Sequence, residues 1–411
     1  MRPLNSILSP PFESKAARRR RRLNLFQPPF RKYVAGLTST SPAIEDLAES
    51  FPALLFAMAT GYGTEKGREA AFRAVVDGHS LKDAALMLGL PMWTRRIPAA
   101  ALAEPLPRLP VEEGFAAEVV NRVPQDAVQC QAWLDRFFTG YRLLGRDMAI
   151  WIAREPRLMQ PATGEELFQW LLAWAWVSMT PTSPGYRLLR GPWTTEIGLK
   201  RAIDELAVWR KRIDLVGALA DAGRDPWYPD AEVGGYDIVQ LKGVDDFIAE
   251  SALMENCLDQ YAAHLAYGRV RIYSVRRDGK PVADIELTVR ADKPTEACLS
   301  QVRGPRNRRA SPGVWHAVTT WLATQPPRQL LVTSTPATLS RERLDQFWRP
   351  YLAAVDVAGL TLRLPSAVVA RDRLRGDPRP APMPHLPAVE PRAAVHRQTL
   401  AQRVARAAGR G

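Results

Sequence analysis

The chain has 411 residues, 46% of them hydrophobic, which is enough for two or three domains with sizeable cores. Its three cysteines, Cys130, Cys257 and Cys298, lie far apart without a CxxC pair, which argues against a disulfide framework and a structural zinc site. No cofactor or metal is therefore predicted. Because no segment reaches the apolar length of a membrane helix, we expect a cytoplasmic protein without a membrane partner.

The net charge of +13 is concentrated at the two ends of the chain. Residues 1–42 are predicted to form a disordered basic arm, and residues 371–411 a basic tail rich in Pro and Arg. Such ends attract DNA or RNA through phosphate contacts, although solvated ends without a partner give the same pattern. The arginines expected to make these contacts are Arg18, Arg19, Arg20, Arg21, Arg22, Arg403 and Arg406.

Residues 43–225 have the helical spacing of apolar residues and are predicted to form a helical domain. The segment "SLKDAALMLGLPMWTRR" has the outline of a helix-turn-helix, with Ser80 as an N-cap and Gly89 in the turn. Pro91 and Pro98 limit the second helix to under two turns, which favours a helical hairpin packed in a core. The domain is a candidate for docking another protein.

After a boundary near residues 225–235 the pattern becomes mixed, and residues 236–368 are predicted to form a second domain. The predicted fold class is α+β, with a mostly helical N-terminal domain followed by an α+β domain that has a small, mainly antiparallel sheet. Further strands are predicted at residues 329–335 and 360–365, and helices at 315–322 and 340–355.

The segment around Cys257 is predicted to be helical, since Phe247, Met254, Leu258, Tyr261 and Leu265 share one apolar stripe. Cys257 borders this stripe. A thiol in such a setting is usually a small buried core residue, and this interpretation is favoured over a catalytic nucleophile or a metal ligand. His264 is about 10 Å further along the helix, which is too far to activate the thiol.

Two alternating runs flank Asp278-Gly279 and predict a hairpin with a two-residue turn. In that register Tyr273 faces Asp284 and Arg271 faces Glu286. The strand "CLSQVRG" follows, with Cys298 and Val302 directed inward. One sheet face then collects five polar residues, either as a solvated face with ion pairs or as a site for phosphate binding or acid–base chemistry: Arg271, Asp284, Glu286, Gln301 and Arg303.

Three separated blocks, "MENCLDQYAAHLAYG", "RIYSVRRDGKPVADIEL" and "QVRGPRN", resemble the PcfJ-like family of conjugative plasmids and other bacterial mobile elements. Ser251 stands where that family commonly has Gly, and Asn256 where it commonly has His. The resemblance implies a shared site and a mobile-element context but no established activity. The matching residues are Met254, Asn256, Cys257, Tyr261, Glu286, Gln301, Gly304 and Asn307.

Three functions are compatible with these observations. The first is an accessory protein of plasmid or phage biology that binds nucleic acid or a nucleoprotein through its basic ends and the loop Arg303–Arg309. The second is a hydrolase or transferase with Glu286 and Cys257 as catalytic residues. Its substrate or phosphate would be bound by Arg271, Gln301, Arg303 and Asn307. The third is a scaffold for protein interactions.

Overall fold

The computed structural model describes residues 14–160, 164–219, 225–289, 296–326 and 341–362. Within them the fold is α+β, as the sequence predicts, with a helical N-terminal region and one antiparallel sheet. The chain divides into two compact units. The first contains Met1–Leu172, Thr194–Leu199 and Ala354–Leu362, and the second contains Ala173–Trp193 and Lys200–Ala353. None of the described helices is both long and apolar enough to cross a membrane.

The first unit is built from helices around a core rich in aromatic side chains. Pro52, Leu54 and Phe56 belong to a helix that is buried on nearly all sides. The helices are α1 (Lys15–Asn24), α2 (Pro28–Thr38), α3 (Pro42–Ser50), α4 (Pro52–Ala59), α5 (Glu65–Val76), α6 (Leu81–Leu88), α7 (Glu113–Val119), α8 (Ala127–Leu144), α9 (Arg146–Arg154) and the start of α10 (Glu165–Ser178).

The predicted disordered arm, residues 1–42, is helical from Lys15 onward, so that prediction was wrong for its described part. Ser14 caps α1 by accepting a hydrogen bond from the Ala17 amide, and Pro28 opens α2, where a missing N–H costs nothing. Arg22 then ties α1 to α3. Composition alone suggested disorder because it does not show the ion pairs that join Arg22 to Asp46 and Glu49, which lie far along the chain.

The segment with a helix-turn-helix outline is a packed hairpin. Ser80 caps α6, and Gly89 ends it with a left-handed backbone, as predicted. The next segment is a short 3-10 helix, Met92–Arg96, not a recognition helix. Trp93 within it is buried and packs edge-on against Trp133, so this segment belongs to the core.

The second unit consists of a five-stranded sheet with helices. Its strands follow the order β1-β2-β3-β4-β5, and each neighbouring pair is antiparallel. The strands are β1 (Ala231–Val233), β2 (Tyr236–Gln240), β3 (Val270–Arg277), β4 (Lys280–Val289) and β5 (Ala297–Arg303). The accompanying helices are α11 (Leu199–Ala218), α12 (Val244–Met254), α13 (Ala262–Leu265), α14 (Pro312–Ala323) and α15 (Arg341–Val357).

The compact units divide inside α10, near the start of α11 and inside α15, whereas the sequence predicted a boundary at 225–235. The C-terminal part of α11 explains this difference. Its buried Leu215 and Ala218 pack in one cluster with Phe247 of α12 and Ile272 of β3. Because this helix shares its core with the sheet, it belongs to the second unit although its sequence pattern resembles that of the preceding helices.

Helices cover both faces of the sheet. On one face Tyr273, Ile285 and Val302 pack with Val318 and Trp321 of α14. On the opposite face Val270 and Ile272 pack against the segment that contains α12 and α13. Side chains alternate between faces along a strand, so both faces of β3 are apolar and its eight residues lack a clean polar side.

A bulge shifts the register of the β3–β4 hairpin. The Asp278-Gly279 turn forms as predicted, with positive φ at both residues and Arg277 opposite Lys280. Between Val275 and Arg276 the register then moves by one residue. Such an extra residue sends the following side chains of one strand to the other face.

The predicted hairpin pairs are therefore wrong. Arg271 lies opposite Leu287 rather than Glu286, and Tyr273 lies opposite Ile285 rather than Asp284. Both side chains point to the face covered by α14. The Tyr273 hydroxyl donates to the Tyr228 carbonyl and accepts from the Tyr228 amide, which satisfies this buried group.

A second irregularity occurs between β4 and β5. Glu286 pairs with Gln301, but Leu287 pairs with Leu299, so Ser300 is the extra residue. Leu299, not Cys298, packs with the cluster that contains Val302. The prediction that Cys298 and Val302 point inward together is wrong for Cys298.

Some predictions fall on other parts of the chain. The predicted strand 329–335 and the tail with Arg403 and Arg406 lie outside the described residues. Of the predicted strand 360–365, residues 360–362 are described, and they are not in a strand. The predicted helices 315–322 and 340–355 correspond to α14 and α15.

Candidate functional site

The backbone leaves the helical conformation just before Cys257. Helix α12 ends at Met254, and Glu255 has the left-handed values φ 49° and ψ 49°. Cys257 then precedes a short 3-10 helix, Leu258–Gln260. Its side chain is exposed, so the prediction of a small buried core residue on a continuous helix was wrong. The break changes the direction of the chain, and Leu258 is still buried in the core.

Hydrogen bonds hold this turn in place. The Ser251 hydroxyl donates to the Asn256 carbonyl at 2.6 Å and to Asp259 Oδ1 at 3.1 Å. Asp259 also forms an ion pair with Arg212 of α11, in which both side chains are about 95% buried. Arg212 completes its contacts by donating to the Leu188 carbonyl. The Asn256 to Tyr261 segment is therefore anchored to the interior of the unit.

A cavity of about 380 Å³ opens between this segment and the sheet face that it covers. Two cross-strand rows form its floor. Asp284 and Arg303 lie side by side in one row, and Ile272, Glu286 and Gln301 lie in the next. The lining residues are Asn256, Cys257, Leu258, Tyr261, Ile272, Asp284, Glu286, Gln301, Arg303 and Asn307.

Glu286 is held by donors that approach only one of its oxygens. The Tyr261 hydroxyl donates to Oε2 at 2.5 Å, and Gln301 Nε2 donates to the same atom at 2.8 Å. Arg303 Nε donates to Gln301 Oε1 at 3.2 Å and so orients that amide. Burial and the hydrogen bond to Glu286 raise the pKa of Tyr261, which keeps its hydroxyl a donor. Within the described part of the chain, Oε1 of Glu286 receives no hydrogen bond.

Asp284 sits in very different surroundings. It is 7% exposed, and its Oδ2 accepts a hydrogen bond from Asn256 Nδ2 at 2.7 Å. Burial raises the pKa of Asp284 to about 8, and the charge of nearby Glu250, together with a hydrogen bond to it, acts in the same direction. Glu250 is 2% exposed, and Arg276 lies 3.5 Å from its Oε2.

A proton resolves the conflict between these two buried carboxyl groups. Among the described atoms, Oδ1 of Asp284 and Oε1 of Glu250 find no hydrogen-bond donor. A proton on Asp284, placed between the carboxyls, replaces repulsion with a hydrogen bond. Burial and the neighbouring Glu250 charge therefore favour the protonated form of Asp284, which lies two residues along the strand from Glu286.

The β5 side of the cavity is cationic. Arg303 forms no ion pair with any described residue, and Asn307 has no described hydrogen-bond partner for its amide. The backbone before Asn307 is unusual, since both Arg306 and Asn307 have φ of 56°. A bidentate pair between Arg306 and Glu255, with both distances 2.8 Å, ties this loop to the end of α12. Left-handed backbone conformations are energetically unfavourable for residues other than glycine, and they often occur at functional sites.

Arg271, predicted to bind phosphate, is outside this site. Its guanidinium donates to the carbonyls of Asp225, Gly268 and Val270 and lies 4.9 Å from the Trp227 ring centre. It is 5% exposed, and burial lowers its pKa. The prediction was wrong because the hairpin bulge moves Arg271 to the other face.

The cavity nevertheless brings together the other predicted site residues, Cys257, Glu286, Gln301, Arg303 and Asn307. Glu250 was missed. A signal for it exists, because Phe247, Glu250 and Met254 follow helical spacing and a carboxylate at a core-facing position needs a partner. Among the described residues no group of three or more His, Cys, Asp or Glu is arranged to hold a metal ion.

Comparison of the chain with protein-family models, with curated proteins and with solved structures gives no match.

Proposed function

We propose that the chain is an enzyme, a hydrolase or transferase, that acts on a phosphate-bearing substrate in the cavity over β3, β4 and β5. The observation that carries this proposal is a pair of carboxyl groups on one strand in contrasting surroundings, with an uncompensated arginine beside them. Carboxyl groups in contrasting surroundings of this kind suit paired acid and base roles.

In this proposal Asp284 is the general acid and Glu286 is the general base. Residues two apart on a strand are about 7 Å from each other, which leaves room for a reacting group between their side chains. The free Oε1 of Glu286 removes a proton from water or from an acceptor hydroxyl as that oxygen attacks. Asp284 gives its proton to the oxygen of the leaving group as the substrate bond breaks.

Arg303 and Asn307 hold the phosphate in this scheme. An arginine without a carboxylate partner retains its full charge, and its planar donors suit phosphate oxygens. Gln301 fixes the guanidinium through Nε, and this leaves the terminal nitrogens for the substrate. Cys257 borders the same cavity and is the alternative nucleophile to water.

We also propose that the chain belongs to the PcfJ-like family and acts in plasmid or phage biology. The three sequence blocks that carry the resemblance converge on one place in the fold. Asn256, Cys257 and Tyr261 come from the first block, Glu286 from the second, and Gln301 and Asn307 from the third. Convergence of separated motif residues on one cavity supports a shared site.

Two measurements on the purified full chain test the enzymatic proposal. Inorganic phosphate should bind, with affinity lost in Arg303→Gln when followed by calorimetry. In a screen of phosphomonoesters, phosphodiesters and nucleotides, Glu286→Gln should lower the rate by about two to four orders of magnitude. The rate should also fall as the pH rises past about 8, because the acid loses its proton.

Glu232→Gln is the matched control, since Glu232 is an exposed carboxylate on β1 of the same sheet. Equal rates in Glu286→Gln and Glu232→Gln, or no turnover and no phosphate binding, contradict the proposal. Cys257→Ala separates the two nucleophiles, because only a thiol mechanism loses turnover in that variant.

A further inference from the structure

A second cationic feature lies in the first compact unit, where α1 and α2 border an open groove of about 680 Å³. We propose that this groove binds the phosphate backbone of a nucleic acid. The groove contains five cationic side chains and one carboxylate. Its lining residues are Lys15, Ala16, Arg19, Arg20, Leu23, Asn24, Arg31, Lys32, Ala35 and Glu45.

Helical spacing places the α1 cations along the groove. Lys15, Arg19 and Leu23 follow one another at four-residue intervals, and Ala16 and Arg20 occupy the adjacent row. Four residues advance a helix by about 6 Å, so α1 presents roughly one cation per turn to a partner lying along it. Arg31 and Lys32 provide the cations of α2.

Two of these arginines are held by uncharged partners. Arg19 donates to the Ala35 carbonyl at 3.3 Å. Arg31 donates to the Phe26 carbonyl at 2.9 Å. Backbone carbonyls fix the guanidinium groups without cancelling their charge, so the groove is organised in advance for an anion. Lys15, Arg20 and Lys32 are exposed and have no described hydrogen bond or ion pair.

The acidic residues near α1 neutralise its other side. Arg22 contacts Asp46 and Glu49 at 3.0 Å, and Arg21 lies 3.8 Å from Glu49. Glu45, at the edge of the groove, also lies 3.7 Å from Arg22. Within the run Arg18–Arg22, Arg21 and Arg22 therefore pair with acidic residues, whereas Arg19 and Arg20 face the groove. Lys15, Arg31 and Lys32 also line the groove.

The chemistry of the groove favours nucleic acid over a membrane surface. Peripheral membrane helices place large apolar side chains opposite their cations, to insert among the lipids. Leu23 is the one large apolar side chain among the residues that line the groove. A nucleic acid needs only regularly spaced cations, because phosphate contacts with counterion release supply the affinity.

The test compares full-length variants that have the same net charge. Lys15→Gln, Arg20→Gln and Lys32→Gln are combined to remove groove cations whose side chains form no hydrogen bond or ion pair with a described residue. The control combines Lys66→Gln, Arg73→Gln and Lys82→Gln, which are exposed on α5 and α6 of the same unit. Binding of fluorescent DNA and RNA is measured by anisotropy between about 50 and 300 mM salt.

We expect the groove variant to bind at least tenfold more weakly at low salt, and its slope of log affinity against log salt to fall by about 2 to 3. The control should keep most of the wild-type slope. Equal loss in both variants assigns the binding to net charge and overturns the proposal, as does unchanged binding in the groove variant. Binding to anionic phospholipid vesicles or to polyglutamate, but not to DNA or RNA, overturns it in favour of the other partner.

This inference is independent of the enzymatic proposal. The groove variant leaves every residue of the cavity unchanged, so a chain that loses nucleic-acid binding and still binds phosphate supports both. Conversely, Arg303→Gln should abolish phosphate binding and leave the salt dependence of nucleic-acid binding unchanged. That result would show that the cavity and the groove bind their ligands independently.

Discussion

The substitution Asp284→Asn provides the sharpest test of the carboxyl pair. The amide has nearly the shape of the carboxylic acid but cannot ionise. Its oxygen can still accept from Asn256, and its NH₂ can donate to Glu250 in place of the shared proton. The variant therefore keeps the hydrogen bonds of the protonated pair at every pH.

The expected magnitude follows from the raised pKa. The folded-state pKa of Asp284 is about 8, compared with a reference value of 3.8. Between these values the folded chain holds a proton that the unfolded chain has released, so the unfolding free energy falls as the pH rises. The whole interval corresponds to a loss on the order of 5 kcal/mol, complete above about pH 8.

We therefore expect Asp284→Asn and the wild type to have similar stability near pH 4, with the variant several kcal/mol more stable near pH 8. Urea unfolding followed by tryptophan fluorescence gives the overall transition. Hydrogen exchange of β4 peptides, compared at each pH between variant and wild type, assigns the difference to the sheet unit.

The control is Asp237→Asn on β2, because Asp237 is exposed and has no described hydrogen-bond or ion-pair partner. Its stability should follow the wild-type pH dependence. Parallel curves for Asp284→Asn and the wild type across the same range would show that Asp284 is ionised in the folded chain and would remove the general acid from the proposed mechanism.

Three further predictions concern single side chains. Tyr261→Phe removes a donor to Glu286 and should lower the unfolding free energy by about 1 to 2 kcal/mol in urea titrations. Arg271→Met leaves buried carbonyls without a donor and should lower the unfolding free energy by about 3 to 5 kcal/mol. Phosphate binding at the cavity should persist in this variant. Iodoacetamide should modify the exposed Cys257 well before the buried Cys130, because burial raises the pKa of the Cys130 thiol to about 12. Peptide mass spectrometry measures the two labelling rates.

Each of these has a clear contrary result. Arg277 is exposed on the same strand, so Arg277→Met should lower the unfolding free energy far less than Arg271→Met. An equal loss in both variants would show that the buried hydrogen bonds of Arg271 do not stabilise the fold. Tyr33→Phe on the exposed side of α2 is the control for Tyr261→Phe. Faster labelling of Cys130 than of Cys257 would show that the α12 break does not expose the thiol.

Local features of the fold followed from the sequence because their causes are local. Ser80 and Gly89 mark the ends of α6 through a side-chain cap and a left-handed backbone. Asp278-Gly279 forms the hairpin turn because these residues tolerate positive φ. The helix predicted at residues 315–322 likewise lies within α14.

Membership of the site was also largely predictable. Gln301 and Arg303 share a sheet face because alternation within one strand needs only the residues of that strand, and the pairing of Glu286 with Gln301 brings Glu286 to the same face. Cys257 and Asn307 join them in the cavity, as the three sequence blocks implied. Their chemical roles remain predictions.

Only the tertiary structure decided the features that depend on two distant segments at once. A one-residue bulge moves Arg271 across the sheet, and since β3 is apolar on both faces, its own sequence does not specify which face each side chain takes. The contact of α12 with β4 places Glu250 beside Asp284, and this charge acts with burial to raise the pKa of Asp284. Pairing with α3 gives Arg22 a structural role and leaves Arg19 and Arg20 facing the groove. Charge and periodicity are properties of a segment, whereas register, burial and pKa arise from what the fold packs against it.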